Sequence, residues 1–407
     1  MKTTLFSLAA LTAALVLSLP AAAAAAAAEK KYSPGASDTE IKIGQTMPYS
    51  GPASAYGAIG KAEAAYFTMI NEQGGVNGRK INLISLDDGY SPPRAVEQTR
   101  KLVEQDDVLL LFSSLGTPSN SAIHKYINAK KVPHLFISSG ATKWGDPKNF
   151  PWTMGWQPNY QSEARIYGQY LLKNKPDAKI GVLFQNDDYG KDYLKGLKDT
   201  LGDKAAKMIV MEASYEVSDP TVDSQIVALK GSGADTLMTF ATPKFAAQAI
   251  RKSFDIGWKP LHFLNNVSAS VAAVLAPAGL DKSKDIITAL YFKDPTDPQW
   301  AKDPAVQFFQ SWMKQYYPGA DPNNGSNVYG YIVAANLVYV LKTCGDDLTR
   351  DNIMKVAANM KDVELPMLIP GIKVNTSATD FYPLAQMSLA KFDGKRWIMF
   401  GDLLDGR

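Results

Sequence analysis

Apolar residues set the first picture of this chain. Ile41-Lys42-Ile43-Gly44 reads as a short strand, and Gly51-Pro52 marks the loop after it. Ile59, Ala62, Tyr66 and Met69 then recur at the spacing of one helix face, and Gly74-Gly75 stops that helix. Asn77-Gly78 turns the chain into a strand over Ile81–Leu86, and Val96, Thr99 and Val103 mark the next helix. Val108–Phe112 is apolar without interruption, as expected of a parallel strand buried on both faces. A helix through Ile123, Tyr126 and Ile127 and a strand over Val132–Ser138 complete a βαβαβαβ alternation. That order predicts a parallel sheet covered by helices on both sides.

A second unit of the same kind follows, with strands predicted at Ile180–Phe184, Met208–Met211, Thr236–Phe240 and His262–Leu264. Beyond Leu290 the pattern turns helical over Pro304–Tyr316, Asn327–Lys342 and Thr349–Met360. The chain then ends in a hairpin, Gln386–Phe392 and Arg396–Phe400, around the turn Asp393-Gly394. Gly155–Tyr160, Asp294–Pro298 and Pro366–Pro370 are the segments expected to cross between the units. The expected architecture is α/β: two doubly wound parallel-sheet lobes joined by a three-strand hinge. The first lobe is drawn at 39–157 plus 291–370, the second at 158–290 plus 371–407.

The first residues carry a compartment signal. Lys2 is followed by an uncharged apolar stretch, Leu5–Leu19, then Pro20 and the alanine tract Ala21–Ala28. This is the order of a cleaved secretory signal, drawn at 1–28. An uncleaved anchor is the alternative; polyalanine is only weakly apolar and Pro20 interrupts the run, which disfavours it. Location in a periplasm-like space follows. The remaining chain, roughly 380 residues, exceeds what one hydrophobic core usually supports, so two domains are expected. Lys plus Arg number 43 against 40 acids with no basic block, so nucleic acid is not a suggested partner. The single cysteine, Cys344, forms no internal disulfide and reads as a buried thiol at the end of a helix.

Enzymatic chemistry finds little footing. The three histidines, at 124, 134 and 262, have no metal-ligand spacing, and the chain has no nucleophile elbow, Walker loop or Gly-x-Gly-x-x-Gly. Asp87-Asp88 and Asp187-Asp188 follow strands, where acids form turns more often than they bind calcium. No metal, cofactor or catalytic residue is expected.

Four segments carry a family resemblance: Ile41–Pro52 (IKIGQTMPYSGP), Asn71–Arg79 (NEQGGVNGR), Gly140-Ala141-Thr142, and Asn186–Gly190 (NDDYG). In this order and spacing the chain resembles the type I periplasmic binding proteins of ABC transporters, in their branched-chain amino-acid-binding group. The resemblance implies a monomeric binding protein that closes two lobes around a ligand and delivers it to an inner-membrane permease. It also implies that Thr117, Gly140, Ala141 and Thr142 clamp a ligand carboxylate. Independently, Thr117-Pro118 after strand 108–112 reads as a helix cap and first turn, and a helix N-terminus suits a carboxylate. By the same resemblance the rings of Tyr56, Tyr189 and Tyr329 cover the ligand's apolar part.

Two positions depart from the family pattern. Asn266 or Asn265 stands where an acid would hold a ligand ammonium, and Ala241 or Thr242 stands at a family tyrosine. A buried ammonium without an acid is costly, whereas an amide can serve a neutral group. The expected ligand is therefore a small carboxylate without an α-ammonium, an aromatic or phenylpropanoid acid. The alternatives are a branched-chain amino acid or amide, or ligand sensing with a membrane receptor.

Overall fold

The computed structural model describes residues 30–407, so the signal expected at 1–28 lies outside the described residues. In chain order the strands are β1 (Lys31–Tyr32), β2 (Glu40–Met47), β3 (Lys80–Asp87), β4 (Leu110–Phe112), β5 (His134–Ile137) and β6 (Thr153–Gly155). Then come β7 (Ile180–Gln185), β8 (Ile209–Tyr215), β9 (Thr236–Phe240), β10 (Leu261–Leu264) and β11 (Ile287–Leu290). The last three are β12 (Asp347–Leu348), β13 (Gln386–Phe392) and β14 (Trp397–Asp405). They form two main sheets. The first has the order β3-β2-β4-β5-β6, and all its pairs are parallel. The second has the order β14-β13-β11-β10-β9-β7-β8; its β11–β13 and β13–β14 pairs are antiparallel and the rest parallel. This is the doubly wound, two-sheet α/β fold that the alternation predicts.

Burial follows position in the sheet. The central strands β4, β5, β7 and β9 are buried at every residue, as both faces are covered by helices. The edge strand β8 alternates between half-buried and exposed residues before ending on the buried Tyr215. The late helices return to the first sheet: Gly325–Cys344 lies against Gly57–Glu72, and Tyr66 meets Trp312 and Tyr331 at ring distances of 6.4 and 5.0 Å. Cys344 is buried at the end of that helix, and burial pushes its thiol up to about 12.

Two crossing segments pair with each other. Lys293 N–H donates to Met367 O at 2.7 Å and Ile369 N–H to Tyr291 O at 3.0 Å, flanking an antiparallel bridge from Phe292 to Leu368. Beyond β11, which the sequence pattern does not mark, four strands differ from expectation. β6 is only three residues long and too short to show a period. β1 and β12 are two-residue strands that pair only with each other. β14 continues to Asp405 because a register shift between Ser388 and Leu389, with Gly401 at φ 75°, absorbs the break after Phe400.

Candidate ligand-binding site

The loops at the carboxyl ends of both sheets face each other, the usual ligand position in open α/β sheets. They enclose a cleft with about 980 Å³ of empty space, its mouth included. The first sheet contributes Tyr56 after β2, Tyr90 after β3, Leu115-Gly116-Thr117 after β4 and Ser138 after β5. The second contributes Tyr189 after β7, Thr242 after β9 and Asn266–Val271 (save Ser268) after β10. The crossings add Gln157, Tyr160, Leu290–Phe292, Asp294 and Pro295, and Tyr329 and Trp397 close the wall. Aromatic and aliphatic side chains dominate it, as suits a ligand with an apolar body.

Among the described residues no Lys, Arg or His side chain stands on this wall. Positive potential comes instead from helix N-termini. Helices beginning at Thr117, Tyr160, Asp188, Pro243 and Gly325 each place a first-turn or capping residue on the cavity. The tyrosine hydroxyls are desolvated: burial holds Tyr160 up at about 12 and raises Tyr56, Tyr90, Tyr189 and Tyr291 well above the ordinary phenol value. They remain neutral donors at any physiological pH.

Thr117 does not cap its helix. Gly116, at φ 100°, is the capping residue, and Thr117 is the first helical position. The Thr117 hydroxyl lies 2.7 Å from Ser139 Oγ, which also accepts from Trp144 Nε1 at 2.9 Å and Ala141 N–H at 3.3 Å. With both lone pairs of Ser139 engaged, its single proton goes to Thr117. The Tyr160 phenol lies within reach of both hydroxyls, so the proton of Thr117 is shared between the Tyr160 oxygen and an acceptor in the cavity.

Of the residues expected from sequence, Tyr56, Thr117, Tyr189, Thr242, Asn266 and Tyr329 stand together on the wall. Gly140, Ala141 and Thr142 do not. Tyr160 comes between: a Cβ at Gly140 would lie 2.7 Å from its ring and 2.8 Å from Pro158 O. Thr142 is used elsewhere, its N–H and hydroxyl both donating to Asp192 at 2.7 Å, while Lys143 pairs with Asp188. The loop expected to clamp a carboxylate therefore grips the helix Asp188–Leu201 of the second sheet.

The pair Asn265 and Asn266 separates into two roles. Asn265 is fully buried; its amide donates to Thr239 O at 2.8 Å and Ala241 O at 3.2 Å and accepts the Tyr189 hydroxyl at 2.6 Å. Asn266 faces the cavity, with Nδ2 tied to Ala289 O at 2.6 Å and Oδ1 not engaged by the protein. Among wall residues that sequence reasoning missed, Tyr90 directly follows a strand and its Asp-Asp-Gly turn, so the strand-end rule alone points to it. Tyr160, Tyr291, Asp294 and Trp397 come from crossings and the terminal hairpin, where no local pattern marks them.

Among the described residues no helix is long and apolar enough to cross a membrane, and no group of histidine, cysteine and acidic side chains could hold a metal. The acids singled out in the sequence serve loops: Asp87 accepts N–H groups of Tyr49, Ser50 and Gly89, and Asp187 caps its helix through Tyr189 and Gly190 N–H.

Two facing α/β sheets with a mostly apolar cleft and several helix N-termini define a bilobal solute-binding protein. Residues 40–396 match the family model described as periplasmic binding protein, and the chain belongs to that family. A relative described as Leu/Ile/Val-binding protein homolog 7, from Brucella suis biovar 1 (strain 1330), is 24% identical over 81% of this chain and 83% of its own length. A branched-chain amino acid ABC transporter structure from Thermus thermophilus with bound valine superposes with a TM-score of 0.81 at 15% identity, covering 91% of this chain and 97% of that one. A fatty acid ABC transporter substrate-binding protein from Thermomonospora curvata gives 0.76 at 24% identity, covering 92% and 95%. The chain is a type I periplasmic binding protein by fold, and a binding protein rather than an enzyme.

Proposed function

We propose that the chain is the solute-binding component of an ABC uptake transporter, taking a small carboxylate with a bulky apolar body, an aromatic or phenylpropanoid acid. The observation that carries this reading is the Thr117 hydroxyl at a helix N-terminus on the cavity, set in a wall of aromatic rings. Asn266 supports it, because no carboxylate occupies the position where an α-ammonium would need one. Ligand release follows from hinge opening between lobes 39–157 plus 291–370 and 158–290 plus 371–407, since each lobe supplies only part of the wall. The partner is a permease of the inner membrane, approached by a monomer exported through a cleaved signal.

A second reading, branched-chain amino acid binding, is favoured by the names of the relatives. Calorimetric titration with benzoate, cinnamate, leucine and valine separates the two. Binding of the aromatic acids without leucine or valine is the expected result; tight leucine binding without them overturns the ligand class.

A further inference from the structure

The crossing that follows β11 carries the one carboxylate found on the cavity wall among the described residues. Asp294 stands there beside Tyr291, Phe292 and Pro295. Its Oδ1 is used locally, accepting the N–H of Thr296 at 2.8 Å and its hydroxyl at 2.7 Å. Those two bonds hold the loop, and among the described residues Oδ2 receives no hydrogen-bond donor. Lys293 pairs with Asp303 at 2.6 Å, and Arg396, 3.8 Å from Asp297, acts on Asp294 only through its field, with no hydrogen bond to it. Burial raises the carboxyl's affinity for a proton, with Asp297 adding to the effect. Asp294 is half-buried on the cavity wall, so a donor carried by a ligand can reach Oδ2 and would be drawn from water to a charged acceptor.

We infer that Asp294 is a specificity-determining residue whose Oδ2 receives a hydroxyl or ammonium donor carried by the ligand. This rests on the proposed reading and deepens it: the substrate class becomes a carboxylate whose apolar body bears a hydrogen-bond donor. The carboxylate end meets the Thr117 helix N-terminus, and the donor meets the crossing. Closure would then depend on ligand length as well as on apolar burial, because the crossing moves with the hinge.

The test compares wild type with Asp294→Asn, which keeps Oδ1 for Thr296 and replaces the free acceptor by an amide donor. Calorimetry with cinnamate, 4-hydroxycinnamate and leucine supplies the readout. In wild type, 4-hydroxycinnamate should bind tighter than cinnamate by on the order of ten- to a hundredfold, the worth of one hydrogen bond to a charged group. In the variant that gap should close, with the melting temperature of the unliganded protein unchanged. Equal binding of the two acids by wild type, or a gap that survives in the variant, overturns the inference. If neither aromatic acid binds and leucine does, the proposed ligand class fails. A leucine affinity that then falls in the variant still supports Asp294 as the receiver, and one that does not move overturns this as well.

Discussion

The backbone N–H of Asn266 donates to Oε1 of Glu163 at 2.6 Å, so a carboxyl group lies directly behind this cavity-facing residue. It does not face the cavity. Tyr167 and Tyr193 each donate a hydroxyl to it at 2.7 Å, and the side chain is buried. Glu163 therefore fixes the loop after β10, and with it the direction of Asn266, while having no free lone pair directed at a ligand.

Glu163 should make stability fall as pH rises. Burial outweighs its three hydrogen bonds and pushes its carboxyl up to about 7 from 4.5. The folded chain thus keeps a proton that the unfolded chain releases between those values. The group costs nothing below pH 4.5 and destabilises fully above pH 7, by roughly 3 kcal/mol from linkage. Glu63, buried beside Gln45 and pushed up to about 8, acts in the same direction. The buried histidines 124, 134 and 262, held down at about 4, 3 and 3, act oppositely, destabilising as pH falls below 6.5. Glu163→Gln isolates the first contribution: its urea-unfolding free energy relative to wild type should rise between pH 5 and pH 8. A constant difference across that range would mean that Glu163 is ionised throughout.

Thr142 should behave as a structural contact rather than a ligand contact. Its two bonds to Asp192 join the loop after β5 to the helix Asp188–Leu201, with Gln161 Nε2 adding to the same carboxylate at 2.6 Å and Tyr382 donating to Thr142 O at 2.6 Å. Thr142→Ala should cost about 1–2 kcal/mol of stability. Thr142→Ala combined with Asp192→Ala should cost less than the sum of the two single changes, as residues sharing a bond do. The ranking of ligands should stay as in wild type. Strict additivity would show that the contact contributes nothing.

The contrast between Thr117 and Thr142 shows what sequence could reach. The alternation of β-rich runs and helical periods places ten of the fourteen strands, chiefly where a strand buried on both faces writes that burial as a continuous apolar run; the four-residue β11 is too short to stand out. The strand-end rule then selects Tyr56, Thr117 and Tyr189. Thr142 satisfies the same rule, yet its hydroxyl is consumed by Asp192, fifty positions later in the chain. Nothing local encodes that partner. The ring of Tyr160 fills the space a ligand would need at Gly140, and it arrives from a crossing segment with no period. Asp294 is hidden for the same reason: a hinge crossing has neither strand nor helix pattern, and its place on the wall depends on how two sheets face each other.

Thr117 carries the sharpest prediction about binding. Ser139 Oγ accepts from Trp144 Nε1 and Ala141 N–H, so its own proton satisfies Thr117 Oγ1, and the Thr117 proton is available to a ligand acceptor in competition with the Tyr160 phenol oxygen. Thr117→Val keeps the shape of the side chain and removes that donor. It also leaves the Ser139 proton without an acceptor, so a stability loss of about 1–2 kcal/mol should accompany it. Carboxylate affinity should fall by on the order of ten- to a hundredfold, the worth of one charge-assisted hydrogen bond. Thr117→Ser restores the hydroxyl without the methyl group and should return most of both losses. Calorimetry reads the affinity and urea unfolding the stability, so the two effects separate. If Thr117→Val loses stability but binds the carboxylate as wild type does, the hydroxyl serves only Ser139, and the ligand's acid end lies at one of the other helix N-termini.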